Sequence, residues 1–183
     1  MTEVATPARH RTTLVIAICV GAVVALLIVL LATSSTDPNR DAASPVVDRA
    51  APTIDATDTS GHPVKIDDYR GRWLLLNFFA TWCGPCKVEQ PELVALSSSM
   101  PIVSVAFDDE PTAVDEFFRA NGGTWPVVAE GNARIALDYG VVKLPESYLI
   151  DPSGQVVHKF DAGVTAAEVA SLIGATPTTG VAK

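Results

Sequence analysis

Two cysteines separated by two residues stand where an apolar run gives way to a segment with a helical pattern. Residues 73–80 are almost wholly apolar, as expected for a strand that is buried on both faces of a sheet. Cys83 would then lie at a helix N-terminus, where unpaired backbone N–H groups and the helix dipole favour the thiolate. Pro85 suits the first helical turn, because its missing N–H costs no hydrogen bond there. We therefore predict Cys83 as an attacking thiol and Cys86, one turn further in, as the resolving thiol of a Cys83–Cys86 redox disulfide.

The spacing of this pair also fits half of a zinc site, which needs two further Cys or His ligands. The remaining Cys and His residues, none of which form a pair at ligand spacing, are Cys19, His10, His62 and His158. A purely structural disulfide is disfavoured as well, because closing so short a loop removes little chain entropy. We expect redox chemistry at this pair, without a metal and without another cofactor.

Residues 12–32 form a 21-residue stretch without a formal charge. As a helix, this stretch is long enough to cross a bilayer core of roughly 30 Å. Arg9 and Arg11 precede it, and positive charge on that side predicts that the N-terminus, residues 1–11, is cytoplasmic. A cleavable signal peptide is the alternative, although its apolar region is usually only ~7–15 residues long. Both interpretations place the rest of the chain outside the cytoplasm, on the periplasmic or cell-wall side, and the first makes it a single-pass protein of the cell membrane.

The chain beyond this stretch has the length of one domain. Residues 33–50 are rich in Ser, Thr, Asp, Ala and Pro without apolar periodicity, which indicates a flexible linker. Residues 51–175 alternate strand-like and helical segments, so we predict an α/β domain with helices on both faces of its sheet. Residues 176–183 are expected to form a loose tail. The net charge of −8 argues against nucleic acid as a partner.

The helix after the cysteines is predicted to extend to about residue 99. Its expected inward stripe consists of Val88, Leu93, Val94 and Leu96. Further along, the acidic residues 108–110 precede a proline-led helix, and we expect them to form a solvated helix start.

The motif Trp82-Cys83-Gly84-Pro85-Cys86 at a strand-to-helix junction resembles the signature of the thioredoxin superfamily. Together with residues 77–81, Glu89 and residues 140–151, it makes the chain similar to the membrane-anchored TlpA/ResA/CcmG-like branch of thiol–disulfide oxidoreductases, or redoxins. The similarity extends over about residues 50–174. It implies a thioredoxin-like fold with a central mixed sheet and helices on both faces.

The resemblance also implies which residues lie beside the cysteine pair. Pro145 would follow a cis peptide bond, whereas an ordinary trans bond is the expectation without the resemblance. The backbone of Leu144 would then pair with an incoming peptide strand. Trp82 would contact the substrate as an exposed aromatic side chain, and the alternative is a partly buried lid.

Two glutamates are candidates for proton transfer. Asn77 stands where thioredoxin usually carries a buried Asp, and an amide cannot shuttle a proton. Glu89 and Glu146 match acidic residues of the tethered branch. A buried carboxylate near Cys86 would have a raised pKa and accept the proton of that thiol. The alternative for both glutamates is a solvated surface position.

The activity implied by the resemblance is the reduction of protein disulfides, with the haem-site cysteines of apocytochrome c as one substrate in cytochrome c maturation. A CcdA- or DsbD-like membrane protein would supply the electrons. The dipeptide Gly84-Pro85 is that of the reducing thioredoxins.

The alternatives are disulfide donation to secreted proteins, a peroxiredoxin-like peroxidase, and a non-enzymatic binding module that uses the groove beside Pro145. A peroxidase usually carries Thr or Ser three residues before its cysteine, whereas Thr81 stands two residues before Cys83.

Overall fold

The computed structural model describes residue 14 and residues 16–26, 44–130 and 133–175. The chain divides into two units, residues 1–40 and residues 41–183. Within the first unit, residue 14 and residues 16–26 are helical, and we refer to this segment as α1. Each of its described side chains is exposed.

The described part of α1 covers only the middle of the predicted membrane span. None of the helices within the described residues combines the length and the apolar character that a bilayer crossing requires. Residues 12–13, 15 and 27–32 of the predicted span, and the predicted cytoplasmic residues 1–11, lie outside the described residues.

The second unit contains eight described strands. In chain order they are β1 (Arg49–Ala50), β2 (Asp55–Thr57), β3 (Pro63–Lys65), β4 (Leu74–Phe79), β5 (Ile102–Phe107), β6 (Val127–Glu130), β7 (Glu146–Ile150) and β8 (Gln155–Phe160). Six of them form one mixed sheet in the order β1-β8-β7-β4-β5-β6. Strands β4, β5 and β6 are parallel, whereas β4 pairs with β7, β7 with β8 and β8 with β1 in antiparallel fashion. Strands β2 and β3 form a separate antiparallel pair.

Helices cover both faces of this sheet. They are α2 (Gly84–Leu96), α3 (Pro111–Asn121), α4 (Arg134–Tyr139) and α5 (Ala166–Ala175), with a 3₁₀ turn at Ile66–Tyr69. Buried side chains of α2, α3 and α5 pack on one face, and those of α4 pack on the other. The two crossovers β4-α2-β5 and β5-α3-β6 place α2 and α3 on the same face, as the right-handed rule requires. The predicted thioredoxin-like fold, with its mixed sheet and helices on both faces, is confirmed.

Strand β4 lies in the middle of the sheet and is buried on both faces. Leu74, Leu76 and Phe78 belong to the core on the α4 face, whereas Leu75 packs in the core beneath α2 and α5. This double burial explains the nearly continuous apolar run in the sequence. Asn77 is the one polar residue of the strand, and it is 1% exposed.

The folded unit begins earlier than the predicted boundary at residue 51. Val46 is 6% exposed and belongs to the core, and Arg49 and Ala50 pair with β8. The predicted linker is therefore wrong for residues 44–50. Strand pairing with β8 holds this polar segment at the edge of the sheet, and such pairing requires no apolar periodicity in the segment itself. Residues 33–43 and the predicted tail, residues 176–183, lie outside the described residues.

The inward face of α2 also differs from the prediction. Leu93 and Leu96 are buried as expected, but Val88 is 80% exposed and Val94 is 37% exposed. Glu89 and Gln90 occupy the inward positions instead, and both are buried. Hydrogen bonds satisfy the polar groups of Glu89 and Gln90, which allows both side chains to be buried. Because the prediction used hydrophobicity alone, it placed the inward face of α2 at the wrong positions. The helix ends at Leu96, three residues before the predicted end.

Candidate active site

Cys83 and Cys86 are joined by a disulfide at the point where β4 leads into α2. Cys83 is the N-cap residue of α2, and its Sγ accepts a hydrogen bond of 3.2 Å from the backbone N–H of Cys86. Pro85 lies in the first turn, where no N–H is needed. Cys83 is 4% exposed and Cys86 is 2% exposed. After reduction, the same backbone N–H would stabilise a thiolate on Cys83.

An open groove of about 450 Å³ lies beside the disulfide. It is lined by Trp82, Cys83, Gly84, Pro85, Phe107 and residues 141–144. Cys83 borders this groove and Cys86 does not, so a molecule in the groove meets Cys83 before Cys86. Trp82 is 62% exposed at the rim, which fits a contact residue and not a buried lid.

The Leu144–Pro145 peptide bond is cis, as the resemblance implied. Leu144 is half-buried and lines the groove, and Pro145 is buried at the start of β7. Strand β7 pairs with β4, and Phe78 near the end of β4 lies opposite Glu146. This pairing brings the Leu144–Pro145 segment to the edge of the sheet from which the cysteine loop leaves.

Glu89 is buried on the helix that carries the cysteines, at 6% exposure. Its Oε1 accepts a hydrogen bond of 2.9 Å from the backbone N–H of Val164, and its Oε2 accepts one of 3.2 Å from Nδ2 of Asn77. Burial raises the pKa of Glu89 to about 7, against the lowering effect of the hydrogen bonds from Val164 and Asn77. A carboxyl group that titrates near neutrality one turn after Cys86 is suited to exchange a proton there.

Glu146 is fully buried on the opposite face of the sheet. Its Oε1 lies 3.1 Å from the Nζ of Lys159, which also lies 2.9 Å from a carboxylate oxygen of Asp161. The hydroxyl of Tyr148 lies 3.2 Å from the other Glu146 oxygen. Both glutamates that the resemblance singled out are therefore buried and not solvated, but the sheet separates them, and of the two only Glu89 extends from the helix of the cysteines.

The model of the AhpC/TSA family matches residues 47–159, a span that contains the disulfide, the cis proline and both glutamates. The chain belongs to the AhpC/TSA family.

Relatives within this family carry names that describe thiol–disulfide chemistry. The thiol–disulfide oxidoreductase ResA of Geobacillus kaustophilus is 33% identical over 141 residues, which cover 72% of this chain and 81% of that protein. The DsbE homologue of Paracoccus denitrificans, a thiol:disulfide interchange protein, is 33% identical over 120 residues and covers 63% of this chain and 66% of that protein. This AhpC/TSA-family protein is a thiol–disulfide oxidoreductase.

Solved structures show the same fold. A DsbF homologue from Corynebacterium diphtheriae superposes with a TM-score of 0.63 at 22% identity, over 70% of this chain and 87% of that structure. The architecture around the disulfide is therefore that of the wider thioredoxin-like fold.

One residue that holds the cysteine loop of this oxidoreductase was not identified from the sequence. Asp109 follows β5 and is half-buried. Its carboxylate accepts hydrogen bonds from the backbone N–H of Thr81 at 2.7 Å and from the Thr81 hydroxyl at 2.6 Å. The prediction that residues 108–110 form only a solvated helix start is wrong for Asp109. The sequence did contain a signal for this contact. Asp109 follows β5 and Thr81 follows β4, and the carboxyl ends of parallel neighbouring strands lie at the same edge of the sheet.

Of the other candidate ligands, His62 and His158 have contacts of their own, and His10 lies outside the described residues. Within the described residues, no three His, Cys, Asp or Glu side chains are grouped closely enough to hold a metal ion. His62 is exposed and interacts with Asp58, and the ring of His158 contacts Phe160 on β8.

Proposed function

We propose that the protein is an extracytoplasmic, membrane-tethered oxidoreductase that reduces disulfide bonds in other proteins. The observation that carries this proposal is the unequal placement of the two sulfurs. Cys83 borders the groove, whereas Cys86 lies behind it and is bonded to Cys83 in the oxidised state described here. Such a pair can form a bond to a substrate at one sulfur and release it with the other.

The reaction begins with the reduced pair. The Cys83 thiolate attacks one sulfur of a substrate disulfide, which forms a Cys83–substrate disulfide and releases the other substrate sulfur as a thiolate. Cys86 then loses its proton and attacks Sγ of Cys83, so the second substrate sulfur leaves as a thiolate and the Cys83–Cys86 bond closes. Two electrons pass from the dithiol to the substrate.

Glu89 is the proposed acceptor of the Cys86 proton. It is one turn away on the same buried face of α2, and burial raises its pKa to about 7. A base of this strength is ionised often enough at neutral pH to accept a proton and weak enough to return it when the disulfide is reduced again.

Glu146 is proposed to act differently, by holding the Leu144–Pro145 segment beside the disulfide. Its ion pair with Lys159 connects the start of β7 to β8. This support would fix the backbone of Leu144, which is the proposed pairing site for a substrate strand.

The groove favours an extended substrate segment with apolar side chains next to its cysteine. Trp82, Phe107 and Leu144 supply apolar walls, and the cation in the lining is Lys143. We propose that Trp82, Leu144 and Pro145 contact the substrate. Unfolded haem-binding segments of apocytochrome c are one candidate substrate, carried over from the resemblance to the TlpA/ResA/CcmG-like branch.

Membrane tethering is supported by the uncharged residues 12–32 and by the helix over residues 16–26, whose aliphatic side chains are exposed. Arg9 and Arg11 favour a cytoplasmic N-terminus and thus an extracytoplasmic domain. At that location, renewal of the Cys83–Cys86 dithiol needs electrons from across the membrane. A CcdA- or DsbD-like membrane protein is the proposed donor.

The peroxidase alternative receives no support from the site. A peroxidase needs a hydroxyl beside its reactive thiolate, but the hydroxyl of Thr81 donates its hydrogen to Asp109. Residue 80, three positions before Cys83, is an alanine.

The decisive experiment is the Cys86→Ala variant in cells that produce the protein. We expect it to accumulate a mixed disulfide between Cys83 and its substrate, which can be isolated and identified by mass spectrometry. Cys83→Ser is the matched control and should trap nothing. If Cys86→Ala captures no partner, or if the wild-type pair is found mainly oxidised in cells, the reductase assignment is wrong.

A further inference from the structure

A line of buried and half-buried polar side chains connects Trp125 to Glu89. Nε1 of Trp125 lies 2.8 Å from Oγ of Ser104 on β5, and that hydroxyl lies 3.2 Å from Oδ1 of Asn77 on β4. Nδ2 of Asn77 lies 3.2 Å from Oε2 of Glu89 on α2 and 3.1 Å from Oγ of Ser147 on β7. Ser104 and Asn77 are each 1% exposed, so water does not compete for these bonds.

The chemistry of the donors sets the direction of this line. An indole N–H can only donate, so Oγ of Ser104 accepts from Trp125. Ser104 then uses its own hydrogen to donate to Oδ1 of Asn77. With its oxygen held in this way, the amide of Asn77 turns its N–H₂ group toward Glu89.

The reversed amide would be unfavourable when Glu89 is ionised. It would place Oδ1 of Asn77 against a carboxylate oxygen, and two acceptors without a hydrogen between them repel each other. The orientation of a single amide therefore decides whether Asn77 supports the anionic form of Glu89.

We propose that Trp125 and Ser104 are positioning residues for thiol–disulfide exchange, because they hold the Asn77 amide in the orientation that stabilises ionised Glu89. This inference rests on the proposed function, in which Glu89 accepts the proton of Cys86. Neither Trp125 nor Ser104 bonds to the cysteines in the structure, and both act through Asn77.

Glu89 depends on hydrogen-bond donors to stabilise its ionised form. It faces the Asn77 amide from β4 and the backbone N–H of Val164 ahead of α5, and Cys86 is the titratable group one turn earlier on its own helix. Within the described residues, no Lys, Arg or His forms an ion pair with Glu89. Hydrogen bonds alone thus offset the cost of burying its charge.

The test uses the full-length protein with Ser104→Ala and Trp125→Phe. The first removes the hydrogen that Asn77 accepts, and the second removes the indole N–H while it keeps a ring to pack against Phe118. Ser104→Thr keeps the hydroxyl and serves as the conservative rescue. Ser99→Ala and Trp73→Phe are matched controls at positions outside the line.

Two quantities are measured in each variant. One is the ionisation of Glu89, followed by ¹³C NMR of the labelled carboxyl in the oxidised protein. The other is the pH dependence of the rate at which Cys86 resolves a Cys83–peptide mixed disulfide. For Ser104→Ala we expect both midpoints to rise by about one pH unit, with a rate about tenfold lower on the acidic side. Trp125→Phe should give a smaller rise, and Ser104→Thr and both controls should match the wild type.

The outcomes separate this inference from the proposed function. An unchanged Glu89 midpoint in both Ser104→Ala and Trp125→Phe would overturn the positioning role. A raised Glu89 midpoint with an unchanged exchange profile would support the control of the Asn77 amide but overturn Glu89 as the proton acceptor. Because the NMR titration needs no exchange activity, it also reads out the positioning role independently of the reaction.

Discussion

Glu89 on α2 accepts a hydrogen bond of 2.9 Å from the backbone N–H of Val164, which leads into α5. The proposed proton acceptor therefore also holds α5, the last described helix, against the helix that carries the cysteines. One turn later, Glu92 makes a similar bond of 3.1 Å to the N–H of Ala166, but at an exposed position. This pair of contacts connects the chemistry of the site to the stability of the fold.

The first prediction concerns pH and stability. Glu89 has a pKa of about 7 in the folded protein against an ordinary value of 4.5, so the folded state binds its proton more tightly than the unfolded state. The contribution of Glu89 to the free energy of unfolding is thus fully present below about pH 4.5 and is lost as the pH rises through about 7. The free energy of unfolding falls by a total on the order of 3 kcal/mol over this range.

Urea denaturation of the oxidised protein between pH 4 and 8 checks this prediction. Compared with the wild type, Glu89→Gln should lack this decline, whereas Glu92→Gln should retain it. Parallel profiles for the wild type and Glu89→Gln would contradict the assignment of the titration to Glu89.

The second prediction concerns the loop before Cys83. Asp109→Ala removes the acceptor of two hydrogen bonds from Thr81, one of them from the backbone. We expect a loss of about 1–3 kcal/mol in the free energy of unfolding and slower attack by Cys83 on a peptide disulfide. Asp109→Asn, which keeps one acceptor oxygen, should lose less.

Asp115→Ala on the exposed side of α3 is the control for this comparison. Equal stabilities and exchange rates for Asp109→Ala and Asp115→Ala would show that the contact to Thr81 does not support the loop.

The third prediction concerns the buried ion pair between Glu146 and Lys159. Lys159→Met leaves a fully buried carboxylate without its cation, and we expect it to lower the free energy of unfolding by about 3–5 kcal/mol. Lys65→Met breaks the exposed pair with Asp55 and should cost at most about 1 kcal/mol. Chemical denaturation of both variants measures the difference. If both lose a similarly small amount of free energy of unfolding, the charge of Glu146 is in contact with water, which would contradict the prediction.

The fourth prediction tests the phase of α2. Leu93→Ala should lower the free energy of unfolding by about 2–5 kcal/mol, since Leu93 is 1% exposed in the core. Val88→Ala should change it by less than about 0.5 kcal/mol, because Val88 lies at the surface. A substantial loss in Val88→Ala would mean that this side chain is covered in solution, which denaturation at several protein concentrations would reveal.

Local patterns were sufficient to predict the elements around the disulfide. The apolar run of β4 and the Gly84-Pro85 dipeptide at the start of α2 are both continuous in the chain, so the sequence shows them directly. The hydrophobic pattern failed on the inward face of α2, where a polar residue is buried through distant partners. Val88 was chosen for the inward face because it is apolar, whereas Glu89 is buried because Asn77 and Val164 satisfy its carboxylate.

The sequence by itself determined the redox pair, its position at a helix N-terminus and the alternation of strands and helices in the domain, because these depend on residue type and spacing along the chain. Only the tertiary structure decided that Asp109 holds Thr81, that Glu89 and Glu146 lie on opposite faces, and that Asn77 is oriented through Ser104. The physical reason is that hydrogen bonds and ion pairs in a low-dielectric core depend on distances of a few ångströms. Such distances arise only when strands far apart in the chain lie side by side.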